Sequence, residues 1–564
     1  MYFIYYTEKQ NLLNSSLHQI QDNFYSSSPV WNEKSFSIWF DGYIYLRGSG
    51  RILNEKDLFE LYINHGKKIC EKIKGIFVLM ICDANTVQFF TDHLGIRKLF
   101  YSSQGKIHYF SNNFWELSGL LNIKTINTTG IALHALTNHF INGKTIVKEI
   151  NFSKPATLIE IDSTGEIKIG NHWTLAQLLE LPMNKLSIDD FSHFFLKNIE
   201  NYLKPPPKRN ATLTLTGGLD SRLILASMLK LGIKPNTFAY GNSSSRDVLI
   251  AKSVANRYAL PFYNSPPSNI SADWFVYQSK IIQEKGNSLA HFHRAYRWDG
   301  IRSALNQDEK KVFFAGYLGG EGIRGAHIDN LIISEFVQKW THNKSPELIK
   351  KHLFQNFVNP NKTDIEEIIQ ELSELPYFTR NLKHNEFYLL FHLNASNHLA
   401  QDINYYIDSG IELVLPYMDI DYLTLLFSSR FSMLNKNNTS KNQFKRLNIP
   451  DFHCKMIASI YPDLTNFILT NGYKPSEYLM GKIPYVIARG VRGLRSKPIA
   501  RNFSYNNWFF QYLKQSGSNF TSDHGFFDNK QFFRDLSDEK STSETGLHKY
   551  TSVVMLNSFI DKIF

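Results

Sequence analysis

The fold is decided by the stretch Thr212-Leu-Thr-Leu-Thr-Gly-Gly-Leu-Asp-Ser-Arg-Leu-Ile-Leu-Ala226. Its alternating start predicts a β-strand, the Gly217-Gly218 pair a tight turn, and residues 219–231 an amphipathic helix. A strand, a glycine turn and a helix in this order direct backbone N–H groups at the positive end of a helix dipole. We therefore predict a phosphate or pyrophosphate site. An ordinary turn with Asp220 or Ser221 as the helix N-cap is the alternative.

The segment Thr216-Gly-Gly-Leu-Asp-Ser221 is a more specific indication of function than its two glycines alone. It resembles the Ser-Gly-Gly-Xaa-Asp-Ser pyrophosphate loop of N-type ATP pyrophosphatases, which make acyl-adenylates from ATP and a carboxylate. No Gly-Lys-Ser/Thr follows, as it would in kinases and GTPases. The resemblance implies ATP, Mg²⁺ and release of pyrophosphate. It assigns nucleotide contacts to Leu215, Thr216, Gly217, Gly218, Asp220 and Ser221, with Asp220 also as the metal ligand.

Composition bounds the class of protein. A chain of 564 residues is too long for one core, so two or three domains are expected. Its 43% hydrophobic and 20% charged residues are ordinary for a soluble globular protein. The net charge of +11 suits attraction to ATP or another anion, and no nucleic-acid recognition motif accompanies it.

A loose basic stretch near the carboxyl terminus is interpreted as a solvated helix face. Contact with an acidic substrate or a membrane surface is the alternative. The stretch consists of Arg489, Arg492, Arg495, Lys497 and Arg501.

Cysteine usage and hydropathy favour a cytoplasmic protein. Cys70, Cys82 and Cys454 lack Cys-Xaa-Xaa-Cys spacing, so neither a disulfide framework nor a structural zinc site is expected. The apolar start of the chain has no basic leader, and no run reaches the roughly 18 residues of a membrane span.

The first 125 residues are rich in predicted strands. Residues 35–46 alternate around Asp41-Gly42, which is interpreted as a hairpin-type turn pair. Residues 75–83 form an apolar run typical of a buried strand. Between them, residues 54–62 have helical spacing with Asn54 as N-cap. The pattern predicts a layered α+β domain.

Segments of this region resemble, in the correct order, the class II glutamine amidotransferase domain of asparagine synthetases, which has an Ntn-hydrolase-like fold. The segments are Phe40-Asp-Gly-Tyr-Ile-Tyr45, Lys74-Gly-Ile-Phe77, Asp83, Asp92-His-Leu-Gly-Ile-Arg-Lys-Leu-Phe-Tyr101 and Phe110-Ser111.

The chain departs from this family at the glutaminase centre. The family uses an N-terminal Cys whose α-amine serves as base, whereas this chain has Tyr2. The His-Arg-Arg segment that helps hold glutamine is missing, and Asp41 replaces the expected Asn. Glu55 lies about where the family's amine-binding Asp would be. We predict a structural domain without glutaminase activity.

Residues 126–210 are interpreted as a connector. Helices are predicted over 128–138 and 188–203, a β-hairpin around 163–165, and a stiff Pro205-Pro-Pro207 spacer.

Strands resume after the glycine turn. Residues 237–241 form a strand that ends in a glycine turn, and 247–261 a helix leading to a third strand. Right-handed parallel crossovers then predict a doubly wound sheet with its ligand at the carboxyl ends of the strands. Backbone near Tyr240 would contact adenine. Asp247 would sit near the nucleotide, or serve as a helix N-cap.

Residues 311–325 predict a strand and a second glycine loop, which resembles the family's Ser-Gly-Glu-Gly-Xaa-Asp-Glu segment. By this resemblance Gly320 contacts the nucleotide and Glu321 lies at the amidation centre. Arg324 replaces the magnesium-binding Asp, and a guanidinium cannot ligate a metal. Either Asp329 supplies the ligand, or Arg324 neutralises phosphate or substrate charge.

Further segments extend the resemblance to about residue 475. Asp402, Gly410-Ile-Glu412 and Pro416-Tyr-Met-Asp419 are similar to the family's Arg-Asp, Gly-Val-Glu and Pro-Phe-Leu-Asp elements. Asp402, Glu412 and Arg324 are thereby assigned to the substrate region. Lys441 matches a Lys that steadies pyrophosphate and the oxyanion. A solvated helix face is the alternative for Lys441, and Lys445 is the fallback.

These segments predict an α/β protein with four parts. Residues 1–175 form a degenerate, Ntn-hydrolase-like amidotransferase domain and 176–208 a linker. Residues 209–475 form a doubly wound ATP pyrophosphatase domain, and 476–564 a helical extension.

The predicted activity is ATP-dependent amide formation without an internal glutaminase, with Glu321 and Lys441 as catalytic residues. Substrates are a small-molecule or peptide carboxylate and an amine or ammonia; a homodimer or a partner biosynthetic protein is compatible with this. Lasso-peptide cyclases and β-lactam synthetases are relatives that likewise form amides without an internal glutaminase. Amidation of a surface-polysaccharide acid is an equally open alternative for the reaction. The alternative is a nucleotide-binding scaffold without catalysis.

Overall fold

The computed structural model describes residues 1–6, 17–21, 23–204, 211–265, 272–305, 312–324, 335–340, 342–376, 382–435, 451–495, 513, 525–537 and 544–564. Within these ranges the strands are β1 (Tyr2–Tyr6), β2 (His18–Gln21), β3 (Phe24–Ser26), β4 (Trp31–Glu33), β5 (Phe36–Leu46), β6 (Ile73–Cys82), β7 (Thr86–Thr91), β8 (Phe100–Gln104), β9 (Ile107–Ser111), β10 (Asn151–Phe152), β11 (Thr157–Asp162), β12 (Ile167–Asn171), β13 (Ala211–Thr214), β14 (Asn236–Tyr240), β15 (Phe262–Ser265), β16 (Val312–Phe314) and β17 (Glu412–Val414).

The helices in the same ranges are α1 (Glu55–His65), α2 (Phe114–Leu120), α3 (Thr128–Thr137), α4 (Ala176–Leu179), α5 (Ile188–Leu203), α6 (Leu219–Lys230), α7 (Arg246–Arg257), α8 (Ala272–Lys285), α9 (Ala295–Leu305), α10 (Glu321–Arg324), α11 (Glu335–Trp340), α12 (Pro346–Gln355), α13 (Ile365–Ser373), α14 (Leu382–Leu389), α15 (Ala400–Asp408), α16 (Ile420–Phe427), α17 (Asp451–Ile460), α18 (Pro475–Leu479), α19 (Lys482–Arg495), α20 (Asn529–Ser537) and α21 (Glu544–Ile563). A π-helix, Leu390–Leu399, joins α14 to α15. None of the described helices is long and apolar enough to cross a membrane.

The amino-terminal part contains two six-stranded antiparallel sheets. Their strand orders are β10-β8-β9-β1-β3-β2 and β12-β11-β7-β6-β5-β4. Strand β6 shows why the sheets stack, because both of its faces are apolar. Val78, Met80 and Cys82 pack into the core that both sheets share, whereas Phe77 and Leu79 pack against α1. The predicted layered α+β arrangement is confirmed.

The Asp41-Gly42 pair does not form the predicted hairpin turn. It lies inside β5, which pairs with β6 from Ser37 to Leu46 without interruption. Gly42 has a φ of +101°, and a Cβ atom there would lie 2.1 Å from the Ile76 carbonyl oxygen. The glycine therefore permits the close approach of two strands, a role that Asp-Gly in a sequence does not distinguish from a turn.

The connector interpretation fails for residues 151–171. Strands β10, β11 and β12 complete the two antiparallel sheets, and β11 and β12 form the predicted hairpin. Helices α3 and α5 lie close to the predicted bounds. The Pro205-Pro-Pro207 spacer lies outside the described residues.

The second half contains a five-stranded parallel sheet in the order β15-β14-β13-β16-β17. The chain moves outward from the central β13 to β15, then returns to the other side of β13 and continues with β16 and β17. This reversal is the hallmark of a doubly wound sheet, as predicted. The carboxyl ends of β13 and β16, side by side, mark the switch point.

The two halves meet through buried charges. Lys74 of β6 is buried and its ammonium group lies 2.7 Å from Asp419 and 3.0 Å from Asp421. Asn198 and Tyr202 donate two further hydrogen bonds to Asp419. Asp419 also caps α16. This carboxylate thus serves the contact between the halves and the start of a helix.

Candidate functional site

The first glycine loop leads from β13 into α6. The Leu215 amide donates to Phe238 and so extends the sheet, and Gly218 is the N-cap of α6. Neither Asp220 nor Ser221 caps the helix, so the N-cap role is wrong, and phosphate binding by the turn stays a prediction. Instead, the Ser221 hydroxyl accepts a hydrogen bond of 3.1 Å from the Thr216 amide and thereby fixes the turn.

Helix α6 also differs from the predicted amphipathic helix. Residues 221–228 are all buried, because other elements cover the helix on every side. The buried Arg222 donates to the carbonyl oxygens of Phe467 and Ile468 at 2.7 and 3.0 Å. In this way α6 holds a segment of the chain that lies some 250 residues away in sequence.

That segment brings Thr470 onto the first glycine loop. The Thr470 amide donates to the Gly217 carbonyl at 3.1 Å, and a Cβ atom at Gly217 would lie only 2.2 Å from the Thr470 hydroxyl. Asp247 accepts from the Gly217 amide at 3.2 Å and from the Thr470 hydroxyl at 2.5 Å. Ser245 is the N-cap of α7. Asp247 is therefore a loop contact, and its interpretation as an N-cap is wrong.

The second glycine loop, residues 315–320, follows β16 and packs directly on Asp220. A Cβ atom at Gly319 would lie 2.7 Å from Asp220 Cβ and Cγ, and one at Gly316 would lie 3.0 Å from Asp220 Cβ. Both glycines are needed because the two loops touch at the switch point. The structure thus brings the predicted Asp220 and the predicted second loop together.

Two aromatic side chains complete the surroundings of Asp220. His453 Nε2 lies 3.4 Å from an Asp220 carboxylate oxygen, and the Tyr417 hydroxyl donates to the Asp220 carbonyl at 2.8 Å. Burial and the nearby Asp220 carboxylate raise the pKa of Tyr417, so its hydroxyl remains a donor. His453 could not be predicted, because no sequence motif connects α17 to the glycine loops.

Glu321 stands at the start of α10, directly after the second loop. Its Oε2 atom is buried and has no hydrogen-bond partner among the described residues. A buried carboxylate oxygen without a partner costs free energy unless a cation, a proton or a ligand satisfies it. The side chain of Arg324, and Asp329, Lys441 and Lys445 entirely, lie outside what the structure describes.

Asp220 has the chemistry to bind a magnesium ion together with phosphate oxygens. The described residues contain no group of three or more His, Cys, Asp and Glu side chains placed to hold a metal. Magnesium commonly takes only one or two protein carboxylates and completes its shell with phosphate oxygens and water. A 26% exposed Asp220 carboxylate beside a loop of backbone amides matches that pattern.

Asp402 is buried beside the second loop and binds an arginine. Arg294 donates to both carboxylate oxygens, at 3.0 and 2.5 Å, and also to the carbonyl of His398. With both oxygens bonded, Asp402 is placed to hold Arg294 rather than to contact a substrate directly.

Arg297 is the exposed cation of the same cluster. Its side chain is 54% exposed, and its closest approach to Asp402 is 3.9 Å. Desolvation lowers the pKa of Arg297, but Asp402 and neighbouring tyrosines, including Tyr317 of the second loop, raise it by more. Arg297 therefore lies beside Tyr317 of the second loop and keeps its charge there. Its position was not predicted, because it lies on α9 outside every quoted motif.

Tyr240 and Glu412 lie at opposite ends of the strands of the parallel sheet. Tyr240 ends β14 and packs against Gly300, where a Cβ atom would lie 2.4 Å from its ring, and against Tyr296. Tyr240 is thus at the carboxyl ends of the strands, as the glycine loops are. Glu412 is the first residue of β17, at the amino ends of the strands, and accepts a hydrogen bond of 2.7 Å from Tyr45. The structure does not bring Glu412 to Asp220.

The place expected for a glutaminase centre is occupied by ion pairs. Asp41 accepts from Arg97 at 2.6 Å and from Asn112 at 2.8 Å. Burial raises the pKa of Asp41, but Arg97 and Asn112 lower it by more. The same Arg97 also binds Asp408 and Asn404 of α15.

The chain has no accessible thiol. Cys70, Cys82 and Cys454 are all buried. Burial raises the pKa of each thiol, that of Cys454 to about 12. Thiolate nucleophiles need a lowered pKa and access to substrate, and these three cysteines have neither.

Residues 55–173 match the sequence profile of a family described as a glutamine amidotransferase domain. The match begins after Tyr2 and Asp41, and it confirms the predicted resemblance of the amino-terminal part at this level. No curated protein matches the chain.

Among solved structures, glutamine phosphoribosylpyrophosphate amidotransferase from B. subtilis, complexed with ADP and GMP, is 10% identical over 58% of this chain and 71% of its own, with a TM-score of 0.18. A structure of the allosteric regulatory enzyme of purine biosynthesis is 10% identical over 57% and 69%, also with a TM-score of 0.18. Similarity this low supports no statement about the parallel sheet or its chemistry.

Proposed function

We propose that this chain is an ATP-dependent amide-forming ligase of the asparagine synthetase type. It activates a carboxylate as an acyl-adenylate, releases pyrophosphate, and transfers the acyl group to an amine or ammonia. The observation that carries this proposal is the contact of two glycine loops on Asp220 at the switch point of the parallel sheet. The amidotransferase-type match over residues 55–173 supports chemistry that ends in an amide.

The first loop provides the phosphate site. Backbone N–H groups at the amino end of α6 point toward bound anions, and the helix dipole favours negative charge there. Asp220 would hold magnesium, which would neutralise phosphate charge when bound. Asp247 and Thr470 fix the Gly217 backbone and occupy its amide, so the phosphate would be bound by the amides of the first turn of α6.

Arg297 provides the site for the carboxylate that is to be activated. It is charged, half exposed and adjacent to the second loop. A guanidinium pairs well with a carboxylate because two N–H groups match two oxygens. The buried ion pair of Arg294 and Asp402 lies next to Arg297 and keeps Asp402 from neutralising it fully.

Glu321 acts in the second half-reaction. The amine nitrogen attacks the carbonyl carbon of the adenylate, the new C–N bond forms, and the C–O bond to AMP breaks. Glu321 accepts the proton that the amine loses, for which its buried, unpartnered Oε2 is suited. Because no accessible thiol exists to release ammonia from glutamine, the nucleophile is a substrate amine or free ammonia. Peptide macrolactams, β-lactams and polysaccharide amides are the product classes that fit.

The experiment is ATP–pyrophosphate exchange with a panel of carboxylates. Asp220→Asn is expected to abolish exchange. Glu321→Gln is expected to retain most exchange but lose amide formation, because adenylation, for which Asp220 holds the magnesium, precedes the step that needs Glu321 as a base. Glu60→Gln, an exposed change on α1, is the matched control and should alter neither. Tight ATP binding with no exchange for any carboxylate would instead identify a nucleotide-binding scaffold.

A further inference from the structure

Helix α19 presents a row of apolar side chains to solvent. Ile483, Val486, Ile487 and Val491 are 73%, 48%, 60% and 42% exposed, and Met480 just before the helix is 73% exposed. Spacings of three and four residues place the four helical positions on one face. Large apolar side chains grouped on one surface mark an interaction site more often than isolated ones do.

Among the described side chains of the helix, the buried one is aromatic. Tyr485 is only 5% exposed and packs edge-on against Tyr473 at 4.8 Å and Tyr478 at 5.5 Å between ring centroids. Position 485 lies roughly opposite 483 and 487 on a helix of 3.6 residues per turn. The apolar face therefore points away from the body of the protein.

All the charged residues in the surrounding sequence are cationic. Residues 478–522 contain no Asp or Glu. The same stretch carries seven cationic residues, Lys482, Arg489, Arg492, Arg495, Lys497, Arg501 and Lys514, which exceed half of the chain's net charge of +11. Such a concentration of one sign selects an anionic partner surface.

We propose that α19 binds peripherally to an anionic lipid bilayer. Its apolar face enters the boundary between headgroups and acyl chains, and its Lys and Arg residues pair with anionic headgroups. A helix with an apolar face, no acidic residue and several basic ones is the pattern of helices that lie in the membrane interface. A protein groove would also accept the apolar face, but seven cationic and no acidic residues over 45 residues favour a lipid surface. The proposal does not depend on the reaction.

The test is co-sedimentation of the full chain with phosphatidylcholine vesicles that contain or lack phosphatidylglycerol. Binding is expected only to the anionic vesicles and should weaken with added salt, since each cationic residue contributes about fivefold. The double variant Ile483→Asp with Ile487→Asp should lose at least about tenfold in binding, because two apolar anchors are replaced by anions. Ile63→Asp with Ile123→Asp is the matched control, since these isoleucines are 55% and 64% exposed elsewhere, and it should bind as the unaltered chain does.

Three results would overturn the proposal. One is absence of binding to anionic vesicles, or binding that the α19 double variant leaves unchanged. Another is a dimer in size-exclusion chromatography that the double variant converts to a monomer, which would make the face an interface between two copies. The third is a thermal stability, without vesicles, that falls much further in the double variant than in the control, which would mean that the chain itself covers this face.

Discussion

Replacing Gly319 by alanine tests whether the contact between the two glycine loops is required for nucleotide binding. The new Cβ atom would lie 2.7 Å from Asp220 Cβ and Cγ. Ordinary carbon contacts are about 3.5–4.0 Å, so one loop must move by roughly 1 Å. Gly319 has no positive φ, so alanine adds no backbone strain. The substitution therefore acts through the contact alone.

We expect the Gly319→Ala chain to fold with a stability loss of about 1–3 kcal/mol, typical of overpacking. Since a displacement of about 1 Å in a site costs on the order of 100-fold, ATP–pyrophosphate exchange should fall by about that factor. ATP with magnesium should also raise the melting temperature of the unaltered chain but hardly that of the variant. Both readouts are needed, because the second does not require the carboxylate substrate.

Gly119→Ala is the matched control. Gly119 lies in α2, and its added Cβ atom would meet nothing within 4 Å. Alanine in a helix is favoured over glycine, so this variant should be as stable as the unaltered chain or slightly more stable, with normal exchange. If Gly319→Ala exchanges pyrophosphate and responds to ATP as Gly119→Ala does, the loop junction is not the nucleotide site.

Three further predictions follow from buried groups. Purified protein should release glutamate from glutamine no faster than buffer, and a thiol reagent should label none of Cys70, Cys82 and Cys454 until the chain is unfolded, because all three are buried; rapid labelling of native protein would contradict this. Arg294→Ala should lower the free energy of unfolding by about 3–5 kcal/mol, since it leaves the Asp402 carboxylate buried without its partner. Arg297→Ala should leave the stability nearly unchanged and raise the KM for the carboxylate, so equal destabilisation by both would refute the distinction. Burial lowers the pKa of Lys98 to about 7, which disfavours its charged form in the folded state. That penalty is full below pH 7 and fades toward pH 10.5, so the stability difference between the unaltered chain and Lys98→Met, followed by urea titration, should shift in favour of the unaltered chain as the pH rises through this window.

The glycine loops could be predicted from sequence because their chemistry is local. A strand, a glycine pair and a helix follow one another within a dozen residues, and the order of such segments was enough to predict the parallel sheet; the anion site that they imply stays a prediction. Asp247 was predicted to lie near the nucleotide for the same reason, as it follows the next strand along.

Other parts of the site depend on contacts that no local pattern encodes. Thr470 reaches Gly217 because Arg222 holds the backbone near residue 467. No local sequence pattern predicts this contact between Thr470 and Gly217. His453 and Arg297 enter the site from helices with ordinary sequences. Asp41-Gly42 misled the analysis because a glycine needed for close strand approach has the same local signature as one needed for a turn.

Helix α15 has a consequence for how this protein can evolve. Its Asp402 binds Arg294, next to Arg297, the proposed substrate contact. Its Asp408 binds Arg97, which also binds Asp41 in the amino-terminal sheets. Deleting the amino-terminal half would remove the cations that neutralise three carboxylates, those of Asp408, Asp419 and Asp421. Loss of the amino-terminal half would therefore destabilise the parallel-sheet half, so the two halves are expected to be inherited together whatever each of them does.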